Sequence, residues 1–279
     1  MPETIAPLDT PAGTRRSVFL CAGLVVAAGI AAYHNSFHGP FIFDDTLAIT
    51  DNLSIRSISD LGRILAPPHD AATAQGRPVL NLSLAVNYAI GGVDPTSYHC
   101  ANLLIHLAAG LALLGIVRRT LLLPLMRPRF GDASLPLAAA TAAVWTVHPL
   151  QTEAVTYTIQ RAESLMGLFY LLTLYFYIRG VQSMAQVGWW SAAVASCLLG
   201  MGTKEVMVSA PVMVLLYDRT FVSGSFREAL RRHGWVIGAL AATWILLIFL
   251  VASGGGNRGG SVGFALKSFK RPLGFASDL

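Results

Sequence analysis

The stretch YHCANLLIHLAAGLALLGIVRR, Tyr98–Arg119, decides the fold. From Tyr98 to Val117 it is almost wholly apolar and of membrane-spanning length, and Arg118-Arg119 stops it. Moving outward, further apolar runs occupy Ser17–Tyr33, Leu135–His148, Ser164–Ile178, Trp189–Gly202, Val206–Tyr217 and Trp235–Ala252. The sixth run is short unless its neighbours extend it. Composition agrees: 54% of the residues are hydrophobic and only 13% charged, whereas a soluble domain carries about twice that charged share. The expected fold class is therefore all-α, a polytopic membrane protein with about seven transmembrane helices.

The basic residues give the runs a direction. Arg15-Arg16, Arg118-Arg119 with Arg127 and Arg129, Arg179, and Arg219 with Arg227, Arg231 and Arg232 fall on one side of that alternation. The positive-inside rule makes it the cytoplasmic side. The net charge of +5 thus orients helices; a nucleic-acid surface would show a basic face on a polar domain, so no nucleic-acid partner is expected. A richness in Ala, Gly and Arg fits a bacterial inner membrane, with the N-terminus cytoplasmic. A cleaved signal peptide is the alternative for Ser17–Tyr33, although the run is long for one.

The chain divides into a polar tail at 1–16, a membrane module at 17–253 and a C-terminal tail at 254–279. Residues 34–97 form a long first external loop. Inside it, Pro78 suits the first turn of a helix whose apolar part, Val79–Ile90, is too short to span. Arg77 with Asn81, and Ser83 with Asn87, are each four apart, which gives that helix polar faces and predicts that it lies at the interface. A second amphipathic helix is expected near Ser57–Leu65. Cys21, Cys100 and Cys197 are far apart and within or beside apolar runs, so they read as small buried hydrophobes. No 34-residue repeat is visible.

The polar groups with chemical potential cluster on the side opposite the arginines. Asp44-Asp45 follows Phe41-Ile42-Phe43; adjacent carboxylates can hold a divalent cation, or one can serve as a general base while its neighbour raises its pKa. The competing structural reading is a helix cap. In the stretch from His148 to Ser164, HPLQTEAVTYTIQRAES, Pro149 ends or kinks the preceding span. A continuous helix there would put Glu153, Tyr157 and Arg161 on one face, able to bind sugar hydroxyls and a phosphate or to brace two helices as an ion pair. Lys204-Glu205 lies between the fifth and sixth spans, where snorkelling is the competing reading. His99 and His106, seven apart, can be metal ligands but read better as buried, hydrogen-bonded histidines.

The order FIFDD, GRPVLNLSLAVNYAIGG, YHCANLLIHL, VHPLQTEAVTYTIQRAESL and TKEVMVSAPVMVLLYD resembles the membrane portion of the transmembrane and tetratricopeptide-repeat containing protein O-mannosyltransferases over about Tyr33–Asp218. The resemblance implies a GT-C glycosyltransferase fold with interfacial helices in the long first external loop. It further implies transfer of a mannose-like sugar, with inversion, from a polyprenyl-phosphate donor in the membrane lipid to a protein or glycan acceptor at the external face. On that reading Asp44 and Asp45 are the acidic pair, one of them the general base. Arg161 and Lys204 meet the donor phosphate, with Arg77 as a lesser contributor. His148, Glu153 and Glu205 occupy family-like external positions and complete the substrate-binding set. No redox or nucleotide cofactor is implied. Such proteins commonly continue into further helices and a repeat array that this chain does not show, so the competing expectation is a non-catalytic scaffold or an inactive fragment. A transporter is disfavoured because the charges sit at helix ends and not at midplane.

Overall fold

The computed structural model describes residues 12–67 and 71–253, and every regular element among them is helical. Helix α1, Ala12–Tyr33, starts before the first apolar run, so residues 12–16, expected in the tail, already belong to the helix. The remainder of both predicted tails lies outside the described residues. After α1 come a π-helical turn at Thr46–Thr50, the short α2 (Leu61–Leu65) and α3 (Pro78–Gly91). Helix α4, Pro95–Leu121, is begun by the Asp94 side chain accepting from Thr96 N with Pro95 in the first turn, and Arg118 and Arg119 sit in its last turn. All three features favour those ends. Short α5 (Arg127–Phe130) leads into α6 (Ser134–Thr146), α7 (Thr152–Thr156), α8 (Arg161–Val181) and α9 (Gln186–Met201). A 3-10 segment, Glu205–Ser209, then α10 (Ala210–Tyr217) and a π-helical end, Asp218–Ser223, form one continuous rod. Helix α11 is Phe226–Ser253.

Five segments are long and apolar enough to cross a membrane: Arg15–His38, Pro95–Leu121, Thr158–Val181, Glu205–Ser223 and Phe226–Ala252. The short sixth run is thus lengthened by its 3-10 and π-helical ends to 19 residues. The other two expected spans are shorter. Helix α6 has 13 residues and α9 has 16, or roughly 20 and 24 Å, against a hydrocarbon core of about 30 Å.

Contacts at the helix ends define two ends of the bundle. Helices α4 and α8 run side by side in one direction: the Tyr98 carbonyl meets Arg161 at one end, and Arg119 donates to Gln182 at 2.8 Å at the other. Helix α1 runs against them, placing Tyr33 edge-on to His106. Helix α6 also runs against α4, and its Thr146 carbonyl meets His106 Nε2 at 2.8 Å. A Cβ on Gly110 would lie 2.5 Å from Thr146 Oγ1, so this crossing requires glycine. Helix α9 turns back along α8, with Trp190 donating to the Tyr177 carbonyl, and Tyr217 at the foot of α10 bonds Thr120 of α4. Helix α11 rises from His233, which pairs with buried Asp218, to Trp244, which donates to the Val208 carbonyl. The largest core lies among α8, α9, α10 and α11; a second joins the first loop and α3 to Tyr98, Ile159 and Ala162.

Helix α3 departs from its amphipathic expectation. Asn81 and Asn87 are buried, while Val86 and Ile90 are exposed. The polar stripe turns inward because it carries the bonds that hold the loop: Asn81 Nδ2 donates to Ser54 Oγ and the Ile64 carbonyl, and Asn81 Oδ1 accepts from Asn52. The amphipathic helix expected over Ser57–Leu65 is only the five-residue α2. Of the three cysteines only Cys197 is fully buried; Cys100 is exposed.

Candidate functional site

All the sequence-predicted site residues lie at the bundle end opposite Arg119, Gln182 and His233, but they do not form one cluster. Asp44 and Asp45 take different roles. Just before them Phe43 adopts a left-handed φ of 45°, a conformation that costs a non-glycine residue about 1–3 kcal/mol. Asp45 is 1% exposed; its Oδ2 accepts from Ile42 N at 3.0 Å and its Oδ1 from Ile159 N at 2.8 Å. It does not cap a helix; it staples the loop to the start of α8. Burial raises its pKa above the usual aspartate value, and Asp44 adds to that, against the two N–H groups and His99. Each of its oxygens is thus engaged by a backbone N–H donor. Among the described residues no group of three His, Cys, Asp or Glu side chains converges.

Asp44 is exposed. Its backbone N–H donates to the Tyr157 hydroxyl at 3.1 Å, and its Oδ2 accepts from the Thr73 hydroxyl at 3.3 Å. Burial holds the Tyr157 phenol above its ordinary pKa, with Asp44, Asp45 and Glu153 adding to the effect, so the phenol stays neutral and packs edge-on to Phe43. The Thr73 carbonyl in turn accepts from Arg77 Nη1 at 3.1 Å. One residue therefore links the exposed carboxylate to a buried guanidinium.

Two ion pairs continue from there. Arg77 Nη2 reaches Glu205 at 3.4 Å, and the Lys204 ammonium pairs with Glu163 in the first turn of α8. Lys204 is extended (φ −155°, ψ 147°), so it and Glu205 point to opposite sides, one toward α8 and the other toward the start of α3. In both pairs the cation is the buried member: the side chains of Arg77 and Lys204 are 1% and 11% exposed, those of Glu205 and Glu163 41% and 39%. Lys204 is thus held inward and does not snorkel. The Val79 N–H donates to the Gly202 carbonyl at 3.0 Å, tying the same joint together.

Arg161 lies outside this set. The expected helix through Glu153, Tyr157 and Arg161 does not form: α7 ends at Thr156, Tyr157 is extended (φ −85°, ψ 115°), and α8 begins at Arg161. The guanidinium turns into the protein and is 1% exposed. Its Nε donates to Asn102 Oδ1 at 2.6 Å, Nη2 to Asn87 Oδ1 at 2.7 Å and to the Tyr98 carbonyl at 3.0 Å, and Nη1 to the Ser83 carbonyl at 3.3 Å. It clasps α3, α4 and α8 together, and its contacts are neither the phosphate site nor the Glu153 ion pair. Glu153 is exposed and accepts from Gln160 at 3.3 Å. His148 caps the turn after α6, accepting from Leu150 N through Nδ1, and lines a groove with Trp145 and Thr141; neither belongs to the Asp44–Arg77–Lys204 chain of contacts. His99 and His106 are buried and bond the Gly39 and Thr146 carbonyls.

Three participants were not singled out by sequence reasoning. Glu163 lies within QRAES, and an acid in the first turn of a span is a readable signal. Asn102, in the middle of an apolar run, needed a buried partner. Thr73 carried no signal.

No family model and no solved structure matches the chain. Among curated proteins it is 31% identical to the human protein O-mannosyl-transferase TMTC2 over 205 residues, 69% of this chain and 23% of that protein. It is 31% identical to Drosophila melanogaster Tmtc2 over 223 residues (75% and 23%), and 26% identical to human TMTC3 over 247 residues (82% and 26%). The chain spans about a quarter of the length of the curated relatives it matches. Vertebrate and insect relatives share a name across most of this chain, and by that likeness it belongs to the TMTC family of protein O-mannosyl-transferases.

Proposed function

We propose that this chain is a membrane glycosyltransferase module of the GT-C class. It moves a mannose-like sugar from a polyprenyl-phosphate donor to a protein or glycan acceptor at the external face of a bacterial inner membrane, with inversion at the anomeric carbon. Helices α6 and α9 complete seven crossings, made by local thinning or tilt of their neighbours, with the N-terminus cytoplasmic. The single observation that carries the reading is Asp44: an exposed carboxylate, next to a strained residue and joined through Thr73 to buried Arg77. The names of the curated relatives, protein O-mannosyl-transferases, support the sugar transfer in the reading.

In this scheme Asp44 takes the proton of the acceptor hydroxyl as its oxygen bonds to the anomeric carbon. The bond from that carbon to the donor phosphate oxygen breaks, and the polyprenyl phosphate leaves with the electron pair. Lys204 and Arg77 offset the charge that gathers on the phosphate, with Glu163 and Glu205 yielding their places on the two cations. Asp45 is a positioning residue that fixes the Asp44 turn.

The test is transfer of radiolabelled mannose from polyprenyl-phosphate mannose by the chain reconstituted in liposomes. Asp44→Asn inserts normally and loses about 100-fold or more of the rate. Undiminished transfer by this variant overturns the mechanism, and no transfer by the wild type favours a scaffold.

A further inference from the structure

A second cavity, of about 530 Å³, lies within the first loop, and among the described residues that line it none comes from a segment long enough to span a membrane. Its floor is the buried pair Asn52 and Ser54, whose side chains are fully engaged: Asn52 Oδ1 accepts from Ser54 N and Oγ, and Asn52 Nδ2 donates to the Ala48 carbonyl and to Asn81. That network makes the floor rigid. Among the described lining residues the charged groups are one carboxylate, Asp51, and one guanidinium, Arg63, both exposed. Leu47 and Leu53 add apolar rims, 48% and 68% exposed.

We propose that this cavity binds the polypeptide acceptor, a proposal that rests on the transferase reading above and names where its second substrate docks. The volume falls in the range of ligand sites. A donor carried on a lipid would reach its site along a membrane helix, and no described residue lining this cavity belongs to one, which favours a ligand taken from water. The lining combines opposite charges with apolar rims, which suits a peptide segment offering backbone amides, a charged side chain and an apolar one; an anionic sugar phosphate would meet Asp51. The position also fits. Leu47 lies one turn beyond Asp44 on the same segment, and the lining residue Ala71 lies just before Thr73, whose hydroxyl holds Asp44. A hydroxyl-bearing residue a few positions along a peptide seated here is presented to the Asp44 carboxylate.

The experiment is fluorescence anisotropy of a fluorescein-labelled Ser/Thr-rich peptide carrying one Lys and one Glu, titrated with the full chain in detergent micelles. Arg63→Ala and Asp51→Asn each weaken binding about tenfold, the effect of removing one charge-assisted hydrogen bond, and Leu53→Asp weakens it further. Arg129→Ala, at the opposite end of the bundle, binds as the wild type does. In transfer assays Arg63→Ala raises the peptide KM and leaves kcat in place. Wild-type affinity in all three cavity variants overturns the proposal. So does a wild-type chain that ignores the peptide and binds a free manno-oligosaccharide. Binding needs no sugar transfer: a chain that binds the peptide through Arg63 but transfers nothing sinks the enzymatic reading and leaves this site standing.

Discussion

Asp44 and Asp45 carry the same side chain, yet one faces water and the other two backbone N–H groups, and their responses to mutation and pH separate accordingly. Asp45→Asn keeps one acceptor and presents an amide N–H to the second donor, leaving a buried N–H unanswered at a cost of about 1–3 kcal/mol; its melting temperature falls, whereas that of Asp44→Asn does not. Because burial raises the Asp45 pKa in the folded chain, the native state binds that proton more tightly than the unfolded one. Its contribution is therefore fully present below the ordinary aspartate pKa and is lost as pH rises through the raised value. Thermal melts across the acid range show this decline in the wild type and its absence in Asp45→Asn. Arg161 is the other residue whose chemistry was misplaced by sequence. An arginine in a polar loop motif reads as a ligand for phosphate, and only the distant Asn87 and Asn102 reveal it as a clasp. Arg161→Met strands two amide oxygens and two carbonyls and destabilises the fold by more than about 3 kcal/mol, measured by thermal unfolding in detergent.

The decisive elements are two joints where helices stop. At Tyr157 the chain breaks from α7 into extended backbone before α8 begins, so a spacing of four does not place Glu153 and Arg161 on one face. The sequence carried no Gly or Pro at that break; the interruption comes from tertiary bonds, Ile159 N to Asp45 and the Tyr157 hydroxyl to Asp44. At the α9–α10 joint, Lys204 and Glu205 diverge and pair with α8 and the start of α3. That Lys204-Glu205 is an interhelical polar site was legible, because charges beside apolar runs require a reason. That Glu163 answers Lys204 was not, since it depends on how α8 is rotated. If donor phosphate displaces these carboxylates, Glu163→Gln lowers the donor KM severalfold and Lys204→Met raises it. Steady-state kinetics with varied polyprenyl-phosphate mannose separates this exchange from a purely structural pair, for which Glu163→Gln costs stability and leaves KM unmoved.

At the scale of the whole chain, the separation into an arginine end and an acid-bearing end was readable because apolar runs and positive clusters follow local composition. The short lengths of α6 and α9 were readable as well: the runs Leu135–His148 and Trp189–Gly202 return as helices of 13 and 16 residues, below the roughly 20 residues that span a bilayer. The seven-crossing topology predicts that, in a Cys100→Ser background, a cysteine at Phe43 or Glu153 in intact cells is labelled by a membrane-impermeant maleimide from outside, and one at Arg129 or Arg227 only after the cytoplasm is opened. Any reversal of that pattern breaks the topology. The bond between Asp45 and Ile159 also sets an order of manufacture. The ribosome releases the acid-bearing loop more than a hundred residues before the segment that pins it, and Arg161 follows directly with its clasp on α3 and α4. A nascent chain halted before that point holds its first spans in the bilayer with Asp44 unaimed. Asp45 is pinned only once the segment leading into α8 is made, so synthesis itself delays the ordering of the acid-bearing loop until the bundle can close.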